Sequence, residues 1–480
     1  MVQGLRSAGL SLPGSNQEQP PVLALVSFNS QECHTVLIAA IFLSATVVPI
    51  DPSLEPEDMK NLLEIIGPTF VYTETGKTLR KVETALALLG SNPTIIVSGR
   101  QKHPYVSYQS LLLPTDPEFR PKPKREGKDA STPLILFTSG ISGPPKAVQI
   151  TDEYLIYNCC VNCDTSCAGS VILATSPIFW ISGIVTFFAS IVQGKKRVFL
   201  RGPARESVIF ETIQNYKVSV WFTSPNSLLS SMARIQTGMY NLSSLKMVVS
   251  GGSPLSPEVQ LRAQRELFRN RLHIFQVYGL TELGILASSF PGSNKLGSVG
   301  KARDGILCKV VNLANGESVQ PYVEGELCFK GHFFMKGYLN GCCTNTEYDK
   351  GDWFHTGDIG YVDDDGYIFV IDRLEDLITY NFIQITPSEL EGVLLNHPAV
   401  KDVAVFGVPN HHTEDDWAIA CVVTKFPVTE NQLVDYVAER VPDDKHLRGG
   451  IKFVEFIPRT STGKVRRNLL RSQLRIELQI

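Results

Sequence analysis

The segment Leu136–Thr151, LFTSGISGPPKAVQIT, combines glycines, hydroxyl side chains and one lysine between apolar runs. Backbone N–H groups, hydroxyls and an ammonium on one glycine-rich loop suit a bound polyphosphate. The spacing departs from a Walker A loop, because Gly140 and Gly143 lie too close together and Lys146 is not followed by Ser or Thr. Pro144 excludes the G-x-S-x-G turn of a nucleophilic serine. The segment therefore predicts an anion-binding loop, with an ordinary surface turn as the alternative.

Three later stretches offer groups that suit a nucleotide triphosphate. In VYGLTELG, Thr281 and Glu282 place a hydroxyl beside a carboxylate, a pairing that suits phosphate and Mg²⁺. In TGDIGYVDDDGYIFVIDR, Asp358 suits ribose hydroxyls and Arg373 ends the run. In TSTGKVRR, Lys464 stands on a glycine-bearing loop, where an ammonium can meet charge that develops on a phosphoryl group. Each stretch alone is equally typical of a turn, a loop cap or a solvated basic face, so the inference rests on their joint presence.

Five motifs, in this order, resemble the adenylate-forming superfamily of acyl- and aryl-CoA synthetases, 4-coumarate–CoA ligases and beetle luciferases. They are TSGISGPPKAV, YGLTE, GELCFKGHFFMKGYLN, the TGD…DR run and TSTGK. The resemblance extends from ALVSFNS to KVRR, nearly the whole chain, and is closest to the insect luciferase-like acyl-CoA synthetases. It implies an ATP-dependent carboxylate–CoA ligase, which forms an acyl-adenylate and then a thioester. ATP, Mg²⁺ and coenzyme A would be its cofactors and co-substrates.

The resemblance also implies a role for each matching residue. Lys464 would bridge the acid and the α-phosphate, Thr281 would contact the α-phosphate, and Glu282 would hold Mg²⁺. Lys146 would act with these three as the fourth catalytic residue. The implied ATP-binding set is Thr138, Ser139, Gly140, Ser142, Gly143 and Lys146 at the β- and γ-phosphates, Gly251, Gly252 and Ser253 near the adenine and acyl pocket, Tyr278, Gly279 and Thr281 in the YGLTE motif, Asp358 and Arg373 at the ribose, and Lys464.

The implied acyl pocket is mostly apolar. Its expected lining is Trp180, Ile181, Ser182, Val277 and Leu283, with Ser253 beside it. An aryl or a medium- to long-chain fatty acid would fill such a lining better than a small polar acid. The identity of the acid and the oligomeric state stay open at this stage.

Several positions depart from the family pattern. Ile141 replaces a hydroxyl residue, which removes one phosphate donor, and Trp180 replaces a histidine near the acyl substrate. At the hinge, Glu375 stands where aspartate or lysine is usual. Near the coenzyme A channel, Thr379 and Asn381 replace basic residues, and Phe382 replaces a glycine. The sequence thus favours adenylation and leaves the thioester half-reaction open. A catalytically impaired nucleotide- or acid-binding member is one alternative, and a light-emitting monooxygenase is another that Trp180 disfavours.

The elements expected to carry these residues are those of an α/β protein. Apolar strands alternate with amphipathic helices up to about residue 299, which predicts mixed sheets flanked by helices. Glycine-punctuated short strands then predict a β-rich subdomain, and the last hundred residues a small α+β domain, in which Ser388 would cap a helix. We expect an adenylation domain over 1–372, short at its N-terminus by comparison with the family, and a mobile domain over 373–480.

Composition limits the classes of partner and compartment. A net charge of −3 over 480 residues gives no reason to expect nucleic acid as the main partner. The longest apolar run is too short for a transmembrane helix, and neither a secretory leader nor a peroxisomal tripeptide is evident, so the default expectation is cytoplasmic. Cys160, Cys163 and Cys167 have the spacing of one helix face, which predicts buried thiols rather than a metal site.

Overall fold

The structure is a computed structural model, and it describes most of the chain. The described residues are 1–10, 20–99, 104–113, 131–138, 145–160, 169–234, 238–289, 295–339, 347–381, 383–409, 415–459 and 465–478.

The strands of these residues, in chain order, are β1 Val22–Val26, β2 Thr46–Ile50, β3 Phe70–Thr73, β4 Thr94–Val97, β5 Val106–Ser107, β6 Leu134–Phe137, β7 Ala147–Ile150, β8 Val171–Ala174, β9 Lys196–Phe199, β10 Val220–Thr223, β11 Met247–Gly251, β12 Ile274–Leu280, β13 Gly284–Ser288, β14 Gly300–Ala302, β15 Leu307–Val311, β16 Gly325–Lys330, β17 Gly337–Tyr338, β18 Phe354–Val362, β19 Tyr367–Arg373, β20 Ile378–Tyr380, β21 Ile383–Ile385, β22 Val400–Pro409, β23 Asp416–Thr424 and β24 Ile451–Phe453. The helices are α1 Val2–Ser7, α2 Gln31–Phe42, α3 Pro56–Ile66, α4 Lys77–Leu89, α5 Asp152–Cys160, α6 Ile181–Val192, α7 Glu206–Asn215, α8 Pro225–Arg234, α9 Pro257–Phe268, α10 Pro387–Leu395, α11 Glu430–Ala438 and α12 Arg467–Leu478.

Two large sheets form the first part of the chain. The first has the order β17-β7-β6-β2-β1-β3-β4-β5 and is parallel except where β7 pairs with β6 and β17. The second has the order β15-β16-β18-β19-β14-β13-β12-β11-β10-β8-β9. Its β8–β12 half is parallel, and its β13–β19 half is antiparallel. This confirms the predicted α/β architecture with mixed sheets and a β-rich region.

Side-chain alternation along the strands explains where the helices pack. On β1, Leu23 and Leu25 face a core shared with α2, α5, α6 and the second sheet, whereas Ala24 and Val26 face α3 and α4. Helices α7 and α9 cover the other face of the second sheet around the fully buried Trp221. Because both faces of the parallel strands are covered, successive residues of each strand are apolar, and the strands form continuous apolar runs in the sequence.

The last part of the chain has its own cores. Strands β22, β23 and β24 form a sheet with α10 and α11 on one face and α12 on the other, and β20 pairs with β21 as a hairpin. The small α+β pattern was therefore correctly predicted.

One prediction about a helix start was wrong. Helix α10 begins at Pro387, whose fixed φ suits the first helical position, so Thr386 rather than Ser388 is the N-cap residue. Ser388 instead donates its N–H to Asp372 Oδ2 at 2.9 Å and its hydroxyl to the carbonyl of Ile371 at 3.2 Å. These contacts tie α10 to the end of β19.

Among the helices of the described residues, none combines the length and apolar character that crossing a bilayer requires.

Candidate active site

The Thr281–Glu282 pair lies in the tight turn between β12 and β13. These strands are antiparallel, and Leu280 pairs with Gly284, so three residues close the turn. A Cβ on Gly279 would lie 2.2 Å from the carbonyl oxygen of Gly284, which explains why this position is a glycine. The Tyr154 hydroxyl donates to the Thr281 carbonyl at 3.0 Å, and the Met335 N–H donates to the Glu282 carbonyl at 2.8 Å. The turn backbone is therefore fixed from two sides.

A tyrosine joins Glu282 to a second carboxylate. The Tyr338 hydroxyl lies 3.1 Å from Glu282 Oε1 and 3.0 Å from Glu347 Oε1. Burial raises the pKa of Glu282, and the neighbouring Glu347 raises it further, while the hydrogen bond from Tyr338 lowers it. The hydroxyl has one proton, so it can donate to only one of the two carboxylates at a time, and carboxylate oxygen atoms remain that a cation can bind.

Lys146 belongs to the same cluster. Its Nζ lies 2.6 Å from Glu347 Oε1 and 4.9 Å from the centre of the Tyr338 ring. The β6–β7 pairing places it, because Thr138 donates its N–H to the Lys146 carbonyl at 3.0 Å across the ends of these strands. The ends of the glycine-rich segment and the YGLTE turn are thus linked through Glu347 and Tyr338.

A second cluster centres on Asp358, which is buried on β18. Its cross-strand partner on β19 is Arg373, whose Nε lies 2.6 Å from Asp358 Oδ1. The Tyr278 hydroxyl donates to Asp358 Oδ2 at 2.5 Å. Burial, together with the Asp358 carboxylate, raises the pKa of Tyr278 well above its usual value, so Tyr278 stays a neutral donor. Although burial alone lowers the pKa of Arg373, Asp358 raises it overall, which keeps the guanidinium charged.

The Gly251–Gly252–Ser253 stretch begins at the last residue of β11, at the carboxyl edge of the parallel strands. Gly251 pairs with Val277 of β12, and a Cβ there would lie 2.6 Å from Val277 Cγ2. Gly252 has a φ of +93°, in the left-handed region that favours glycine. Ligands of open α/β sheets bind at this edge of the strands, so the position suits a bound nucleotide.

The residues predicted for the acyl pocket lie on two elements. Trp180 precedes α6 and contacts Phe179 edge-to-face at 5.9 Å between ring centres. Ile181 packs against the main core, Ser182 is exposed, and Leu283 is fully buried in that core. Among these positions, Trp180, Ile181 and Val277 of β12 therefore combine apolar character with partial exposure.

The hinge residues lie on exposed turns after β19. Glu375 occupies a short 3₁₀ turn, Leu374–Asp376. Asn381 has a φ of +49°, which asparagine tolerates better than most residues, and its N–H donates to Asp415 Oδ1 at 2.9 Å. Ten of the residues used in the sequence predictions lie outside the described part of the chain: Ser139, Gly140, Ile141, Ser142, Gly143, Pro144, Cys163, Cys167, Phe382 and Lys464. The prediction of a buried thiol was wrong for Cys160, which ends α5 and is exposed.

Two members of the site were missed from the sequence. Tyr338 stands within a quoted motif but had no role assigned to it, and Glu347 follows that motif without any distinctive pattern. Their signal is spatial, because Lys146 and Glu347 are 201 residues apart in the chain.

Comparison with known families decides the assignment. The model of the AMP-binding enzyme family matches residues 5–339, and the model of the AMP-binding enzyme C-terminal domain matches residues 389–464. The chain belongs to the AMP-binding, adenylate-forming enzyme family. The acyl- and aryl-CoA ligases of this family are AMP-forming enzymes, and the predicted resemblance is confirmed.

Named relatives include both ligases and luciferases. The chain is 32% identical over 468 residues to luciferin 4-monooxygenase of Nipponoluciola cruciata, which covers 94% of this chain and 84% of that protein. It is 33% identical over 421 residues to a probable 4-coumarate–CoA ligase 1 of Dictyostelium discoideum. This match covers 86% of this chain and 74% of that protein. The fold matches o-succinylbenzoate coenzyme A synthetase (MenE) of Bacillus subtilis, in complex with ATP and magnesium ion, with a TM-score of 0.80 at 24% identity over 98% of this chain and 92% of that chain.

Proposed function

We propose that the protein adenylates a carboxylic acid with ATP and then transfers the acyl group to coenzyme A. In the first step a carboxylate oxygen of the acid bonds to the α-phosphorus, and the bond from that phosphorus to the bridging oxygen of pyrophosphate breaks. In the second step the thiol sulfur of coenzyme A bonds to the acyl carbon, AMP leaves, and the thiol loses its proton. The observation that carries this proposal is the linked cluster of Lys146, Glu347, Tyr338 and Glu282.

The donor set of this cluster fits a hard divalent cation. Two carboxylates, from Glu282 and Glu347, meet at the Tyr338 hydroxyl, and oxygen ligands are those that Mg²⁺ prefers. When bound, Mg²⁺ would neutralise the charge of the phosphates. Glu282 would hold the cation, and the ammonium of Lys146, together with Thr138 and the glycine-rich segment, would hold the β- and γ-phosphates. MenE, the structural relative described in complex with ATP and magnesium ion, supports the same assignment.

The remaining roles concern positioning. Asp358 would accept hydrogen bonds from the ribose. Its carboxylate would be held in place by Tyr278, which contacts Oδ2, and by Arg373, which contacts Oδ1. Thr281 would contact the α-phosphate, and Gly251, Gly252, Ser253 and Gly279 would allow close approach of the nucleotide. Lys464 would stabilise charge as the acid attacks. This chemistry needs no covalent nucleophile on the protein.

The acid is proposed to be an aryl or a medium- to long-chain fatty acid. Trp180 and Ile181 offer apolar surface at the start of α6, and Val277 lies beside Gly251 on the adjoining sheet. A small polar acid would leave this lining without contacts.

The two half-reactions are proposed to use two parts of the chain. Residues 1–372 would hold ATP and the acid, and residues 373–480 would rotate about a hinge at Glu375 before the thiol reacts. Phe382 and Asn381, near the proposed coenzyme A channel, would slow the second step. A catalytically impaired, ligand-binding member is the second candidate, supported by Ile141 and Phe382.

Acid-dependent ATP–pyrophosphate exchange tests this proposal. The purified chain would be assayed with aryl and fatty acids, and thioester would be followed after coenzyme A is added. Exchange with thioester supports the ligase, and exchange alone supports an adenylating enzyme with a blocked second step. No exchange with any acid, despite measured ATP binding, would favour the impaired member.

A further inference from the structure

We propose that Glu326, Cys328 and His355 form a binding site for a zinc-like divalent cation, separate from the Mg²⁺ position at Glu282. Each of the three residues offers a ligand atom, and these atoms all lie within 4.8 Å of one another. The set combines a thiol, an imidazole and a carboxylate on two neighbouring strands.

The strand pairing brings the three donors together. Cys328 of β16 is the cross-strand partner of His355 at the start of β18. Glu326 lies two residues before Cys328. The register with β18 shifts between these two residues, and the Glu326 carboxylate reaches the same histidine, with Oε2 2.7 Å from His355 Nδ1. Both strands belong to the antiparallel half of the second sheet, and rigid strands hold metal ligands better than loops do.

The distances are close to those of a tetrahedral site. Cys328 Sγ lies 3.5 Å from His355 Nδ1, and Glu326 Oε2 lies 2.7 Å from the same nitrogen. Zinc bonds of 2.0–2.3 Å to N, O and S place neighbouring ligand atoms about 3.4–3.6 Å apart. The sulfur–nitrogen pair already has this separation. The oxygen–nitrogen pair needs to lengthen by less than about 1 Å, which rotation of the Glu326 carboxylate can supply.

The chemistry of the donors selects the class of cation. Thiolate and imidazole ligands favour zinc and similar softer metals over Mg²⁺ and Ca²⁺, which prefer oxygen. Three protein ligands leave a fourth position for solvent, and His355, 31% exposed, provides the route of access. Cation binding requires that Cys328 lose its proton and that Nδ1 of His355 present its lone pair.

The carboxylate of Asp349 lies near the second ring nitrogen of His355. Asp349 Oδ2 lies 3.9 Å from His355 Nε2, on the side of the ring away from the cluster. Asp349 is itself held by Lys309 at 2.9 Å and by the N–H groups of Gly351 and Trp353. Histidine ligands commonly direct their second nitrogen to such a carboxylate, which fixes the ring and leaves the first nitrogen for the metal.

The cluster is connected to the strand that carries Asp358. Glu326 Oε1 accepts the N–H of Gly357 at 2.9 Å, one residue before Asp358. One oxygen of Glu326 thus supports that turn, while the other, Oε2, faces the proposed cation.

Cadmium and zinc titrations of the full chain test the site. A Cd²⁺–thiolate bond gives a charge-transfer absorption band, and Zn²⁺ should displace Cd²⁺ from the same position. Because other thiols also bind Cd²⁺, every variant is made in a background with Cys160, Cys163, Cys167, Cys342 and Cys343 replaced by alanine. We expect one equivalent of cation in this background. Cys328→Ala should abolish the band, and Asp349→Asn should weaken affinity by about tenfold.

Two further variants separate ligand loss from misfolding. Cys308→Ala removes a partly buried thiol of the adjacent strand β15 and should leave the band and the affinity unchanged. Glu326→Gln keeps a carbonyl oxygen for the Gly357 N–H but removes the anionic ligand, so affinity should fall while thermal unfolding without metal stays similar. Unchanged cation affinity in Cys328→Ala and His355→Gln, or no bound equivalent in the background protein, would overturn the proposal.

Discussion

Replacing Arg467 by methionine should specifically destabilise the part of the chain that carries Lys464. Arg467 begins α12, three residues after Lys464, and its guanidinium contacts two buried carboxylates. Nη1 lies 3.0 Å from Asp376 Oδ2, and Nη2 lies 2.7 Å from Glu391 Oε1. The Nε–H also donates to the carbonyl of Val405 at 2.9 Å. The triad thus joins α12 to the turn after β19, to α10 and to β22.

The expected loss follows from burial. The side chains of Arg467, Asp376 and Glu391 are 11%, 8% and 17% exposed, so removal of the cation leaves two largely buried carboxylates without their counter-charge. Glu391 keeps only the hydrogen bond from the Val405 N–H, at 2.9 Å, among the contacts described for it. Breaking such a pair costs about 3–5 kcal/mol in free energy of unfolding. That loss corresponds to amide exchange that is roughly 150- to 5,000-fold faster for protons that exchange through opening of this unit.

The loss should depend on pH in a defined direction. Burial raises the pKa of Asp376 and of Glu391, and Arg467 opposes this rise in both. In Arg467→Met the two folded-state pKa values rise further above their unfolded values. A carboxylate with a raised folded pKa destabilises the protein fully at pH values above its folded pKa, and the penalty declines as pH falls from the folded pKa to the unfolded pKa, below which it is absent. The loss of stability in Arg467→Met, relative to the unsubstituted protein, should therefore be largest near neutral pH and should decrease on acidification.

Hydrogen exchange followed by mass spectrometry of peptides from α10 and β22 measures this effect locally. Arg440→Met is the matched control, because Arg440 is 43% exposed and pairs with Glu439, which is 72% exposed. That variant should change the free energy of opening, as measured by hydrogen exchange, by no more than about 1 kcal/mol. The triple variant Arg467→Met, Asp376→Asn, Glu391→Gln should recover part of the protection. Equal exchange in Arg467→Met and in the control, or a deficit that grows at acidic pH, would refute the reasoning.

The other predictions concern the site itself. Lys464→Ala should lower acid-dependent pyrophosphate exchange by about 100-fold or more while ATP affinity, measured by calorimetry, changes little; unchanged exchange would contradict its role. Phe382→Gly should raise the rate of thioester formation relative to adenylation, and an unaltered ratio of the two rates would exclude an obstructive role. Gly279→Ala should destabilise the protein by about 1–3 kcal/mol or more, because its Cβ meets backbone at 2.2 Å. Gly392→Ala, where a Cβ meets nothing within 4 Å, should leave the melting temperature equal or higher.

Local chemistry made much of the fold and of the site predictable. Alternation of apolar strands and amphipathic helices indicates an α/β protein, because an amphipathic helix must bury its apolar face and an apolar strand must bury both of its faces. Residues such as Glu282 and Asp358 stand within short motifs whose composition suits one kind of ligand. The start of α10 was predicted wrongly because two hydroxyl residues, Thr386 and Ser388, flank Pro387, and only the backbone shows which of them precedes the helix.

Pairs made by tertiary packing were not predictable in the same way. Glu347 has no motif of its own, and its place beside Lys146 is set by tertiary pairing with the start of β18, where the His355 N–H donates to the Glu347 carbonyl at 2.7 Å. Arg467 and Asp376 are 91 residues apart and meet only when α12 packs on β22. A basic run at the end of a chain is usually a solvated face, so nothing in its composition indicates that one arginine is buried.

The arrangement around Tyr338 explains why cation and phosphates should enter the site together. Phosphates that approach Lys146 compete with Glu347 for its ammonium, and a cation at Glu282 competes with the Tyr338 hydroxyl for that carboxylate. Phosphates alone would leave Glu347 without its counter-charge next to further anions, and burial makes such a charge expensive. A cation that arrives with the phosphates supplies positive charge to both glutamates at the moment when Lys146 turns to the nucleotide. If Lys146 and Glu282 bind the phosphates and the cation as proposed, the pairing of Lys146 with Glu347 should therefore favour the metal-bound nucleotide over the free one.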